Sequence, residues 1–91
     1  MLDSKQAYAY LLERLTKLDD SQEMDNFLQD LCTRAELDNM AQRMYAAKLI
    51  IEGKTYVDVA QETSLSSATI SRISHCVKRG KGGYQNSINK K

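Results

Sequence analysis

The chain has 91 residues, which at about 100–200 residues per domain is one domain or less. It has no Pro, no Trp and only four Gly, a composition for helices joined by few turns that argues against β-sandwiches and barrels. The net charge is +1 but divided: residues 1–40 hold four basic against nine acidic side chains, residues 41–91 hold nine against three, and no acid follows Glu62. That asymmetry points to a polyanion bound by the second half, the plain alternative being a solvated acidic face with a basic tail.

Residues 4–18 place Ala7, Tyr8, Leu11, Leu12, Leu15 and Leu18 at helical spacing, an amphipathic helix whose opposite face carries Glu13, Arg14 and Lys17. Asp19-Asp20-Ser21 breaks it and caps a short second helix, with Asp20 and Glu23 at capping-box spacing. Met24, Phe27, Leu28 and Leu31 keep the period there, and Cys32 closes it.

Thr33 and Glu36 form a full capping box that opens a long helix over about 34–52. Leu37, Met40, Ala41 and Met44 make one stripe, widened later by Ala46, Ala47, Leu49, Ile50 and Ile51. A helix apolar over so much of its circumference is buried on several sides. In so small a chain a second copy is expected to supply part of that burial, with Met24, Met40 and Met44 as dimer core. Gly53 stands where a positive φ ends the helix.

Thr55 and Asp58 open the next helix, 56–63, with Val59, Ala60 and Thr63 expected inward. Ser64-Leu65-Ser66 is a turn, and 67–79 a further helix with Ile70, Ile73 and Val77 inward. The tail 80–91, rich in Gly and Lys, is expected to be mobile or to order only against a partner. Residues 1–79 therefore read as a single helical domain.

The stretch from Thr55 to Cys76 meets the requirements of a DNA-reading helix-turn-helix. Ala60 is small where the second helix would cross, and Leu65 plugs the turn. The second helix opens with Ser66, Ser67, Ala68, Thr69, Ser71 and Arg72, side chains short enough to let a helix start approach base edges. Arg72 can pair bidentately with guanine, and Ala or a Thr methyl can touch a thymine methyl. Thr55 and Tyr56 at one helix start and Ser66 at the next are candidate phosphate contacts. His75 extends the reading face, and Lys78, Arg79 and Lys81 follow as non-specific phosphate contacts. The plain alternative is a pair of antiparallel core helices with a polar face.

Other chemistry is not expected. No apolar run reaches the ~18–20 residues of a membrane span, and the start lacks a signal-peptide pattern. The expected location is therefore the cytoplasm, with Cys32 and Cys76 reduced. His75 and Cys76 are adjacent and have no further His to complete a metal set. No nucleophile–base pair or phosphate-binding glycine loop marks an enzyme; Gly80–Gly83 lacks the strand and helix that such a loop needs.

The order of capping box, long helix, Gly, helix-turn-helix and then Ala68-Thr69-Ile70-Ser71-Arg72 resembles the Trp repressor family, and within it the small Trp-repressor-like (YerC/YecD) group. The resemblance covers about residues 24–79 and includes Arg43. It implies an all-α fold of about five helices in an intertwined homodimer, with recognition helices meeting successive major grooves of a palindromic operator about 34 Å apart. It also implies a ligand set of Thr33, Arg43 and Arg72, matching the residues that hold tryptophan in the Trp repressor. Two departures speak against a tryptophan-like corepressor, and no cofactor is expected. Ile73 fills the slot that a small residue leaves open there, and the turn is one residue shorter. That repressor's C-terminal helix has no clear counterpart in the tail. Thr33 is also explained by capping, Arg43 by a carboxylate such as Asp38 or Glu36, and Arg72 by DNA alone. The expected function is a sequence-specific, homodimeric transcriptional regulator that represses by occlusion. The alternative is a protein–protein interaction module of the transcription machinery without its own operator.

Overall fold

The computed structural model describes residues 1–90. All regular structure in them is helical: α1 (Ser4–Thr16), α2 (Ser21–Leu31), α3 (Arg34–Ile51), α4 (Tyr56–Glu62), α5 (Ser67–Arg79) and α6 (Gly83–Asn89). The chain divides into two compact units, Met1–Leu37 and Asp38–Lys91. Six helices among the described residues stand where about five were expected, the sixth lying in the tail.

In the first unit each helix start is fixed by a side chain. Asp3 and Gln6 close a capping box on α1, which the sequence reading did not pick out. Asp20 caps α2 by accepting from the Gln22 N–H at 3.4 Å. The expected bond partner three residues on, Glu23, does not complete a box there. Thr33 and Glu36 do: the Glu36 N–H donates to Thr33 Oγ1 at 3.1 Å, and the Thr33 N–H donates to Glu36 Oε1 at 2.7 Å. The apolar stripes of α1 and α2 are the expected ones, yet neither helix has a buried residue. Leu11, Leu15, Met24, Phe27 and Leu28 are half-buried, whereas Tyr8, Leu12 and Leu31 are exposed.

The second unit holds the core. Ala46, Ala47 and Leu49 of α3 pack with Val59 of α4 and Ile70, Ile73 and Val77 of α5. Gly53 ends α3 with φ +88, the left-handed conformation that a Cβ disfavours. Met40 and Met44, at 47% and 39% exposure, lie outside this core. The expected burial of their stripe is therefore not achieved within one chain.

The tail is organised rather than loose. Gly82 adopts φ +83 and starts α6, while Gln85 Nε2 donates to the Val77 carbonyl at 2.9 Å near the end of α5. Tyr84 and Ile88 then pack against the core. A Cβ at position 80 would collide with the Cys76 carbonyl, so Gly80 serves a close approach of backbone to backbone.

Two of the capping carboxyls lend themselves to a pH test. The Thr33 backbone and hydroxyl hold the Glu36 carboxyl below the usual carboxylate range, and Thr55 does the same for Asp58, with Lys54 adding to the effect. A carboxyl whose pKa falls on folding binds fewer protons in the native chain than in the unfolded one. Its stabilisation is present above the unfolded value, roughly pH 4, and is lost as the pH falls through the lower native value. Carboxyl-carbon NMR should find Glu36 and Asp58 titrating below the values of the same residues in short peptides. Midpoints at or above the peptide values would mean that the boxes do not persist in solution.

Candidate nucleic-acid interface

The helix-turn-helix is built by local bonds. Thr55 caps α4: the Asp58 N–H donates to Thr55 Oγ1 at 3.1 Å, and the Thr55 N–H donates to Asp58 Oδ2 at 3.0 Å. Thr63 stops α4, its hydroxyl donating to the Val59 carbonyl at 2.8 Å. In the turn, the Ser64 N–H donates to Gln42 Oε1 of α3 at 2.8 Å. Leu65 then packs against the core, and Ser66 caps α5 by accepting from the Thr69 N–H at 3.2 Å. The observed bounds of α5 are those expected from the sequence.

One turn of phase sorts the side chains of α5. Ile70 and Ile73 are 1% exposed and Val77 is buried. Ser67, Ala68, Ser71, Arg72 and His75 are exposed, at the i, i+1, i+4, i+5 and i+8 positions of one helical face. Lys78 and Arg79 end the helix and Lys81 follows, all three exposed. Thr55, Tyr56 and Ser66 are exposed as well. Thr69 differs: it is half-buried and its hydroxyl is bonded to Ser66 Oγ at 3.0 Å, so it supports the cap from behind the face.

One finding corrects the expectations. Ala60 is exposed, not inward; Val59 is the fully buried residue of α4, and the small side chains of the core are Ala46 and Ala47 on α3. Arg43 Nε donates to Asn39 Oδ1, one turn back on α3, at 2.7 Å. The Ser74 and Ser71 hydroxyls of α5, with the Lys78 charge, hold the Tyr56 phenol below its usual pKa.

Thr33 belongs to the first unit, whereas Arg43 and Arg72 belong to the second. An apolar concavity of about 410 Å³ in the second unit is lined by Met44, Cys76, Gly80, Lys81, Gly83 and Tyr84, none of them from that set. Ile73 is core. Sequence reasoning missed Gln42, a half-buried polar residue in phase with the buried Ala46 and Leu49. It also missed Tyr45, whose hydroxyl donates to Glu62 at 3.3 Å. Among the described residues no helix is long and apolar enough to cross a membrane.

Comparison with known proteins agrees with this geometry. Residues 6–91 match the model of the Trp repressor protein family. The chain is 36% identical over 80 residues to Bacillus subtilis YerC, a protein whose own role is uncharacterised; the match covers 88% of this chain and 77% of YerC. A TrpR-like protein from Eubacterium eligens superimposes with a TM-score of 0.85 at 36% identity, covering 91% of this chain and 86% of that one. A candidate Trp repressor from Staphylococcus aureus gives 0.85 at 34% identity, with 91% and 83% covered. On the family match and these two solved folds, the chain belongs to the Trp repressor family of DNA-binding regulators.

Proposed function

We propose that this chain is a homodimeric, sequence-specific transcriptional regulator that represses by covering a palindromic operator. The single observation that carries the reading is the outward face of α5. Five short or fork-headed side chains, Ser67, Ala68, Ser71, Arg72 and His75, stand clear of a core made by the other face of the same helix. Their lengths suit a helix laid into a major groove, with Arg72 as the side chain able to fork onto guanine. Lys78, Arg79 and Lys81, and the starts of α4 and α5 at Thr55, Tyr56 and Ser66, then meet phosphates. In this reading residues 1–79 form the binding domain, with its reader at 56–79, followed by the C-terminal 80–91. It acts in the cytoplasm, on DNA.

The dimer is supported by what one chain leaves uncovered. Helices α1 and α2 bury no residue, and Tyr8, Leu12, Leu31, Met40 and Met44 are all 39–61% exposed. Exposed apolar side chains at this density in so short a chain mark a protein–protein surface. A symmetric pair also supplies the two recognition helices that a palindrome requires.

Selection of bound duplexes from a random pool is the test, followed by affinity measured against salt. An enriched palindrome is expected, with affinity falling steeply as salt rises because several phosphates are neutralised. A pool that never enriches, or retention that ignores salt, would instead favour docking on another protein of the transcription machinery.

A further inference from the structure

Beyond the reading face itself, we infer that Gln42 is a positioning residue for DNA recognition: from α3 it fixes the turn, and through the turn the presentation of α5. The inference rests on the DNA-reading function proposed above. Two side-chain bonds link α3 to the end of α4 and the turn after it. Tyr45 Oη donates to the carboxylate of Glu62, the last residue of α4, at 3.3 Å. Gln42 Oε1 accepts from the Ser64 N–H, the first turn residue after the α4 cap, at 2.8 Å. The second is the shorter and the more consequential. Ser64 follows Thr63, which ends α4, and precedes Leu65 and Ser66, which anchor and cap α5. The turn has few residues in which to set the angle between the two helices, and one of its amides is held by a side chain 22 residues away in sequence.

The placement of Gln42 fits the role. Gln42, Ala46 and Leu49 fall at i, i+4 and i+7 on α3, and Tyr45 lies beside them. Ala46 and Leu49 are buried, and Gln42 is half-buried. The stripe that begins as core thus ends in a polar group where α4 stops. A turn amide there cannot join a helical ladder, so it needs an acceptor from elsewhere or from water. A binding site demands geometry held to within roughly 0.5 Å, and a fixed turn supplies it where a loose one does not.

The bond needs only an acceptor oxygen, and that makes it testable. Gln42→Met removes the oxygen at nearly constant length in a residue that also favours helix, and Gln42→Glu keeps it. The measured quantity is the ratio of affinity for the selected operator to affinity for random duplex, which cancels the charge added by Glu. Gln42→Met is expected to lower the ratio about 3- to 10-fold, the worth of one modest hydrogen bond. Gln42→Glu should keep it within about 2-fold, by the same accounting. Amide hydrogen exchange without DNA should show Ser64 protected in the parent and in Gln42→Glu and released in Gln42→Met. Should Gln42→Met unfold, Gln42→Ala carries the same expectation. Released Ser64 with an unchanged ratio would make the bond merely structural and overturn the proposal, as would a Ser64 amide still protected in Gln42→Met. A parent that selects no sequence overturns the DNA reading and this proposal with it, and the exchange data keep that failure distinct from the others.

Discussion

Arg72→Ala is expected to weaken binding to the selected operator by about 1–3 kcal/mol, roughly 5- to 150-fold, while affinity for random duplex changes far less. The asymmetry follows from what Arg72 can do. It is exposed on the outward face of α5, in the second turn, with Ile73 beside it fixed in the core. The backbone that carries it is therefore well held, and its five donors are available to a base edge. A bidentate pair to guanine distinguishes one base pair from the other three, whereas a phosphate contact distinguishes none. Arg72→Lys should recover little, because a point charge lacks the planar fork. Competitive gel shifts with operator and random duplex measure both terms. Equal losses on the two duplexes would make Arg72 a phosphate contact and move base reading to Ser67, Ser71 and His75.

Much of this candidate site is legible in the amino-acid sequence. The α5 bounds follow from Ser66 as cap and from the 3.6-residue spacing of Ile70, Ile73 and Val77, two signals that agree. Gly53 was legible for a related reason: a Gly closing a strongly periodic stretch has one common use. Ala60 was not, because α4 has only seven residues, too few turns for periodicity to fix its phase. The tail misled by composition. Gly80, Gly82 and Gly83 read as mobility, but Gly80 serves a close backbone approach and Gly82 a left-handed helix start. Gly80 approaches the Cys76 carbonyl one turn back, and Gln85 bonds the Val77 carbonyl, contacts that composition alone does not register. Gln42 and Tyr45 were missed for the same reason. A polar residue on a core stripe is a local anomaly, and its partners Ser64 and Glu62 lie 22 and 17 residues downstream.

The apolar stripe of α3 gives the largest expected effect. Periodicity places Met40 and Met44 on an apolar stripe read as dimer core, and in one chain they remain 47% and 39% exposed. A pattern of apolar residues states that a face is covered, not by which molecule. If a second copy covers this face, the double variant Met40→Glu/Met44→Glu should disrupt the dimer, because the charges would lose water without gaining partners. Sedimentation should then report a species near the chain mass of 10.3 kDa where the parent runs at about twice that. The functional loss should exceed that of Arg72→Ala. Two linked half-site contacts gain about 10²–10⁴ in affinity over one, and a monomer forfeits that factor on a palindrome. It should keep the weak, salt-sensitive binding of a single reader, whose core of Val59, Ile70, Ile73 and Val77 includes neither methionine. Concentration dependence provides an independent reading, since the parent's Tm should rise with protein concentration if folding and pairing are linked. A double variant that stays paired and binds the operator with parental affinity would place the dimer contacts elsewhere. The exposed apolar side chains of α1 and α2, Tyr8, Leu12 and Leu31, would then be the next residues to charge.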